Sequence, residues 1–138
     1  MLEPQPEGIP LPAPSALTEP FWDGCRQGRL RYQRCDRCGR AVFGPAPICP
    51  HCRTRTLSWH DSAGLGSVYS WTIAHRPMTP AFRTPYAAVI VQLDEGHHMV
   101  SNLVDTPVDG VRIGMRVQVA FHPVGAFTLP YFRPIPER

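Results

Sequence analysis

Cys35-Asp36-Arg37-Cys38-Gly39 and Cys49-Pro50-His51-Cys52 form two Cys-x-x-Cys pairs, with ten residues between Cys38 and Cys49. This spacing matches a four-thiolate tetrahedral zinc site, each pair being supplied by one tight turn, or knuckle. Two sulfurs three positions apart converge on one ion only if the backbone between them turns sharply. Gly39 supplies the positive φ that ends such a turn. The second knuckle has Arg53 at the matching position, where some strain or a different turn is expected. His51 lies inside that knuckle and is expected to face solvent rather than the metal.

Four thiolates leave no open position for a substrate water, so Cys35, Cys38, Cys49 and Cys52 read as ligands of a structural Zn²⁺. Two disulfides would need an oxidising compartment, and Met1 is followed by acidic, proline-rich sequence rather than a secretory signal. A redox pair would need only one Cys-x-x-Cys, inside a βαβ pattern that is not evident here. Cys25 reads as a small buried apolar residue on a short helix.

The chain of 138 residues is long enough for one domain or two very small ones. A ribbon of about thirty residues buries too little apolar surface to fold alone. Its metal supplies the difference, on the order of 10–16 kcal/mol for structural zinc. Apolar content is ordinary, which excludes global disorder. The strongest apolar run, Ala87 to Val91, is far too short to cross a bilayer, so a cytoplasmic protein without a membrane is expected.

Net charge is +3, but unevenly spread. Residues 1–25 carry four acids and no base. Residues 26–55 carry eight arginines against Asp36 alone, and no lysine occurs anywhere.

Residues 1–17 hold five prolines and read as an extended polyproline arm, mobile or laid along a partner. Thr18-Glu19-Pro20-Phe21-Trp22 reads as a helix start, with Thr18 capping, Glu19 at the positive end of the dipole and Pro20 in the first turn. Gly28 is the stop. Leu30–Gln33 and Ala41–Phe43 then flank the first knuckle as strands. Residues 18–60 therefore form a helix plus zinc ribbon.

Residues 61–138 read differently. Strands are expected at Val68–His75, Tyr86–Leu93, His97–Val104, Arg116–Phe121 and Leu129–Arg133, from β-branched and aromatic content and alternation. Three prolines make residues 76–85 a long loop. Five strands with a long first loop are the pattern of a small Greek-key barrel, the OB-fold. The fold class is thus mainly β: a short N-terminal helix, a four-cysteine ribbon and a five-stranded barrel. Trp59 and Trp71 are expected in core or ribbon–barrel packing. His97 and His98 follow a hairpin turn and are expected to be exposed.

The chain resembles the zinc-ribbon plus OB-fold, acyl-CoA-associated family catalogued as a domain of unknown function, whose ribbon is rubredoxin-like. The likeness spans roughly residues 19–134. It rests on the four cysteines, Gly66-Ser67-Val68-Tyr69-Ser70-Trp71-Thr72, Arg76-Pro77, Pro85 to Gly96, Ile113-Gly114-Met115-Arg116-Val117 and Phe132-Arg133-Pro134. The resemblance implies an obligate partner of thiolase-fold enzymes in a hetero-oligomer, among them acyl-transfer and condensing complexes and aldolases acting on steroid acyl-CoA side chains. It carries over no catalytic residues, so no activity is expected of the chain alone.

Two features suit acyl-CoA. The arginine-rich ribbon matches CoA phosphates, which guanidinium binds in bidentate fashion. The loop Arg76-Pro77-Met78-Thr79-Pro80-Ala81-Phe82-Arg83 sets Met78 and Phe82 beside two arginines. Phe82 meets an acyl chain or partner there, or folds back on the barrel. His75, at the strand end beside this loop, could donate to a thioester carbonyl. Nucleic-acid binding is the competing reading, since zinc ribbons and OB-folds both serve it. It is disfavoured because residues 86–104 hold no arginine or lysine and only one aromatic besides the histidines, Tyr86.

Overall fold

The computed structural model describes residues 1–136. Helix α1 spans Glu19–Arg26, and strands β1 (Arg31–Cys35), β2 (Ala41–Val42) and β3 (Leu57–Asp61) form an antiparallel sheet in the order β2-β1-β3. Strands β4 (Leu65–Ala74), β5 (Tyr86–Leu93), β6 (His98–Leu103), β7 (Arg116–Val124) and β8 (Phe127–Pro134) close a barrel in the order β4-β5-β6-β8-β7, with a 3₁₀ turn at Val108–Gly110. This is the expected ribbon and five-stranded OB-fold.

Alternation sets the barrel core. Ala87, Val89, Val91 and Leu93 of β5 point inward and are buried, while Gln92 between them is exposed. Val68, Met99, Leu103, Val117 and Phe132 complete the interior. Two strands approach closely at Gly66, where a Cβ would lie 2.5 Å from the Gln92 carbonyl oxygen, so only glycine fits. Tyr69 has no partner in the β4–β5 register, which shifts between Val68 and Ser70. This bulge leaves Tyr69 out on the surface against His98, ring centroids 4.5 Å apart. Trp71, expected in packing, is 39 % exposed.

Helix α1 begins at Thr18, though not through the predicted cap. The Thr18 hydroxyl accepts the Ser15 N–H at 2.9 Å, and the Ser15 carbonyl receives the Glu19 N–H at 2.8 Å. Gly28, at φ +73°, ends the helix as expected. Phe21 and Cys25 are buried against Leu30 in one core with the barrel. Burial pushes the Cys25 thiol up to about 12, which makes it an inert packing group.

The proline-rich arm is laid along this chain's own barrel. Leu2 is 2 % exposed and belongs to the core cluster. Its N–H donates to the Thr106 carbonyl at 2.8 Å, and its carbonyl accepts the Asp105 N–H at 2.9 Å. Farther on, the Gln5 side chain pairs with the Arg83 backbone in both directions, at 2.7 and 3.0 Å. The Glu7 carboxylate receives the Gly125 N–H at 3.0 Å. These bonds offset the entropy of ordering a segment whose prolines have already removed much of it.

Ribbon and barrel meet at a short, well-bonded junction. Ser62 donates its N–H to Leu30 at 2.7 Å and its hydroxyl to Glu95 at 2.6 Å, and Glu95 also accepts the Ala63 N–H at 2.9 Å.

Candidate functional site

The two knuckles are built alike. Gly39 N–H donates to Cys35 O and Arg53 N–H to Cys49 O, both at 2.9 Å. Cys35 N–H returns to Arg40 O and Cys49 N–H to Thr54 O, both at 3.0 Å. Gly39 takes φ +76° and Arg53 φ +61°, so the second knuckle holds an arginine in the left-handed conformation that the first gives to glycine.

One ligand atom from each of Cys35, Cys38, Cys49 and Cys52 lies within 4.8 Å of the others. Zinc–sulfur bonds of about 2.3 Å in a tetrahedron place sulfurs about 3.8 Å apart. The Cys35–Cys52 and Cys38–Cys49 separations, 3.5 and 3.7 Å, are close to that geometry. No disulfide forms among the described cysteines. The donor set fits a structural Zn²⁺ with its coordination complete. His51 is exposed, its Nδ1 3.0 Å from the Arg40 guanidinium, as expected of a bystander.

Sequence reasoning missed the groups behind the ligands. Thr56 Oγ1 lies 3.1 Å from Cys35 Sγ, Thr54 Oγ1 lies 3.0 Å from Cys52 Sγ, and the two hydroxyls are 2.6 Å apart. The Cys38 backbone N–H and the Thr56 hydroxyl together hold the Cys35 thiol down to about 5, and the Thr54 hydroxyl lowers that of Cys52. Both effects favour the thiolate that a metal needs. The signal was available as Thr-x-Thr directly after the second pair. Gln33, also missed, is buried and pairs with both backbone groups of Ala46, which fixes the loop between the knuckles.

The loop 76–83 divides into two parts. His75, Arg76 and Met78 are exposed, Met78 at 84 %. Phe82 and Arg83 turn back to the arm. Arg83 donates to the Pro4 carbonyl at 3.0 Å and sits 3.2 Å from the Glu3 carboxylate. Phe82 is half-buried and lines a hollow of about 340 Å³ with Ile9, Phe21, Phe43 and Val100. That hollow runs into two shallower ones over the outer face of β4–β6, through Phe43, Val100 and Ile90. Among the described residues, no Asp, Glu, Lys or Arg lines any of the three. Val100, at the centre, is 71 % exposed. An uncharged apolar groove of this kind opposes a backbone-tracking nucleic-acid surface, which needs cations. It fits the core of a protein interface.

His97 corrects another expectation. It is buried at 5 % exposure, stacked against Tyr32 and Phe43 of the ribbon. His98 is exposed, as expected. Trp59 packs against the shared core. Among the described residues, no helix is long and apolar enough to cross a membrane.

Comparison with known proteins agrees with this anatomy. Residues 22–58 match the model of the ChsH2 rubredoxin-like zinc ribbon domain, and residues 59–122 that of the ChsH2 C-terminal OB-fold domain. A probable enoyl-CoA hydratase alpha subunit of Thermomonospora curvata is 41 % identical over 83 % of this chain. The 3-oxo-4,17-pregnadiene-20-carboxyl-CoA hydratase alpha subunit of Mycobacterium tuberculosis is 30 % identical over 84 % of it. This chain spans only 36 % and 37 % of the length of those two relatives. A DUF35 domain-containing scaffold protein of Methanocaldococcus jannaschii is 33 % identical, over 74 % of this chain and 79 % of that one. Among solved structures, an Ltp2-ChsH2(DUF35) aldolase superposes with a TM-score of 0.82 at 38 % identity, covering 90 % of this chain and 98 % of the other. With the two domain models together matching residues 22–122 and relatives 41 % and 33 % identical over most of its length, the chain belongs to the ChsH2-type zinc-ribbon and OB-fold proteins of the DUF35 family.

Proposed function

We propose that this chain is a non-catalytic accessory subunit that binds a thiolase-fold enzyme and supports its handling of an acyl-CoA, in a hetero-oligomer. The observation that carries the reading is the uncharged groove centred on Val100, an apolar, exposed surface of the kind that marks an interaction site. The metal has no free coordination position, so it organises the ribbon and activates nothing. The names of the relatives support the same assignment, since they describe subunits of CoA-thioester hydratases, a scaffold, and an aldolase named for two components. A steroid acyl-CoA is the substrate class we favour for the partner, from the pregnadiene name and the aldolase.

Within this reading, His75, Arg76 and Met78 form the free part of the long loop and are the candidates for contact with the acyl-CoA or the partner. Phe82 and Arg83 shape the same region from behind by fixing the arm. Exposed Arg37, Arg40, Arg53 and Arg55 make the ribbon tip attractive to CoA phosphates.

The test is reconstitution. The chain is co-expressed with a thiolase-fold enzyme from its own genome, pulled down, and assayed for carbon–carbon bond cleavage or formation on acyl-CoA with and without the chain. Co-elution at fixed stoichiometry and activity dependent on the chain are expected. A fully active partner that neither binds the chain nor responds to it refutes the assignment.

A further inference from the structure

Buried polar side chains nearly always have hydrogen-bond partners, so an imidazole with two bare nitrogens calls for an explanation. Among the described residues, neither nitrogen of His97 has one. The ring lies nearly parallel to two others, 4.7 Å and 12° from Tyr32 of β1, and 6.0 Å and 6° from Phe43, just past β2. Both of those rings belong to the ribbon, whereas His97 directly precedes β6 of the barrel. One barrel side chain is thus gripped by two ribbon rings. A phenylalanine would fill the same slot and leave no N–H unpaired. The stack pays a penalty for keeping a group that titrates near neutral pH.

We propose that His97 is an acid-sensitive latch: as a neutral ring it holds the zinc ribbon on the barrel, and on taking up a proton it loosens that contact.

The surrounding charges support this direction. From the ribbon, Arg34 lies over Tyr32, its guanidinium carbon 5.5 Å from the ring centroid and its Nη2 donating to the Tyr32 hydroxyl at 3.1 Å. His60 of β3 tilts against the same ring at 6.0 Å. From the barrel come His98 and Glu95. Burial is the largest influence holding the His97 ring below its ordinary pKa, and Arg34 and His98 add to it. Glu95 pulls the other way, yet its two oxygens are already engaged by Ser62 and Ala63.

The sign follows from proton counting. The docked state binds fewer protons at His97 than a released state in which the ring titrates near its usual value of about 6.5. Docking is therefore fully favoured above that pH. It weakens as pH falls, by up to about tenfold per unit, until the ring also charges in the docked state. Loosening the ribbon would part Phe43 from Val100 and divide the groove they share.

The experiment uses the zinc-loaded full chain. Imidazole ¹⁵N signals report the protonation of His97, and hydrogen exchange reports the protection of residues 31–35 and 41–43 relative to β5 of the barrel. The expected result is a His97 pKa below 6.5, with relative ribbon protection falling by up to tenfold between pH 6.5 and 5.5. His97→Phe should keep the stack and abolish that fall. Zinc sits in the same thiolates in both proteins, so acid effects on the metal are common to the two. An equal fall in both proteins, a pH-independent wild-type ribbon, or a His97 pKa at or above 6.5 would overturn the proposal. Should His97→Phe fail to fold, the wild-type titration and ribbon exchange decide the matter.

Discussion

Replacing Leu2 by alanine tests whether the arm is part of the fold. Leu2 is 2 % exposed in the common core, and its two backbone hydrogen bonds to Thr106 and Asp105 survive the substitution. The loss is therefore the side chain alone. Buried Leu→Ala changes cost about 2–5 kcal/mol through lost transfer energy and the cavity left behind. A surface arm can partly close on that cavity, so about 3 kcal/mol is expected, a large share of an ordinary domain's stability. For a chain of this size that is a fall of roughly 10 °C in Tm. The assay is urea unfolding of the zinc-loaded protein followed by tryptophan fluorescence, with calorimetry beside it. Leu11→Ala is the control, because Leu11 is 44 % exposed and should cost under about 0.5 kcal/mol. A Leu2→Ala loss below about 1 kcal/mol, equal to the control, would mean that the arm is not seated on the barrel in solution.

Thr56→Val removes the hydroxyl beside Cys35 at nearly constant shape and should lower zinc affinity about 10–100-fold, read by competition with a chelator. Arg53→Gly relieves a left-handed φ of +61° and should raise the Tm of the holoprotein by an amount worth about 0.5–1 kcal/mol, unlike the same change at Arg55. Val100→Glu places a charge on an exposed side chain, so the melting curve should hardly move. Pull-down of the partner enzyme should nevertheless fall by tenfold or more.

The metal centre could be read directly, because cysteine spacing and thiolate coordination are local facts. So could β5, whose apolar, β-branched run from Tyr86 to Leu93, closed by the Asp94-Glu95-Gly96 turn, marks a strand without tertiary context. Two of the misreadings, at His97 and in the arm, come from contact across distant elements. His97 follows a polar turn and looks exposed until Tyr32 and Phe43 are brought over it by the ribbon. The arm looks free because its prolines erase helical and strand periods alike. The three-residue spacing of Leu2 and Gln5, which puts both on one side of a polyproline helix, was its only trace. Trp71 was expected in packing because the bulge at Tyr69 is not visible in a run of strand-forming residues. Thr54 and Thr56 were not singled out, although their position after Cys52 marks them as supports for the sulfurs.

The seat of Leu2 also bears on how the chain matures at the ribosome. Leu2 is synthesised about a hundred residues ahead of its hydrogen-bond partners Asp105 and Thr106. The strand pairs β4–β7 and β6–β8 likewise await the last third of the chain. The zinc ribbon closes within a few dozen residues, so metal capture can precede the barrel during translation. Barrel closure must wait for β7 and β8, and arm docking for Asp105 and Thr106. Such non-local contacts make folding slow and leave apolar strands briefly uncovered. Under the proposed function, a nascent chain of this kind would gain from having a partner subunit made close by.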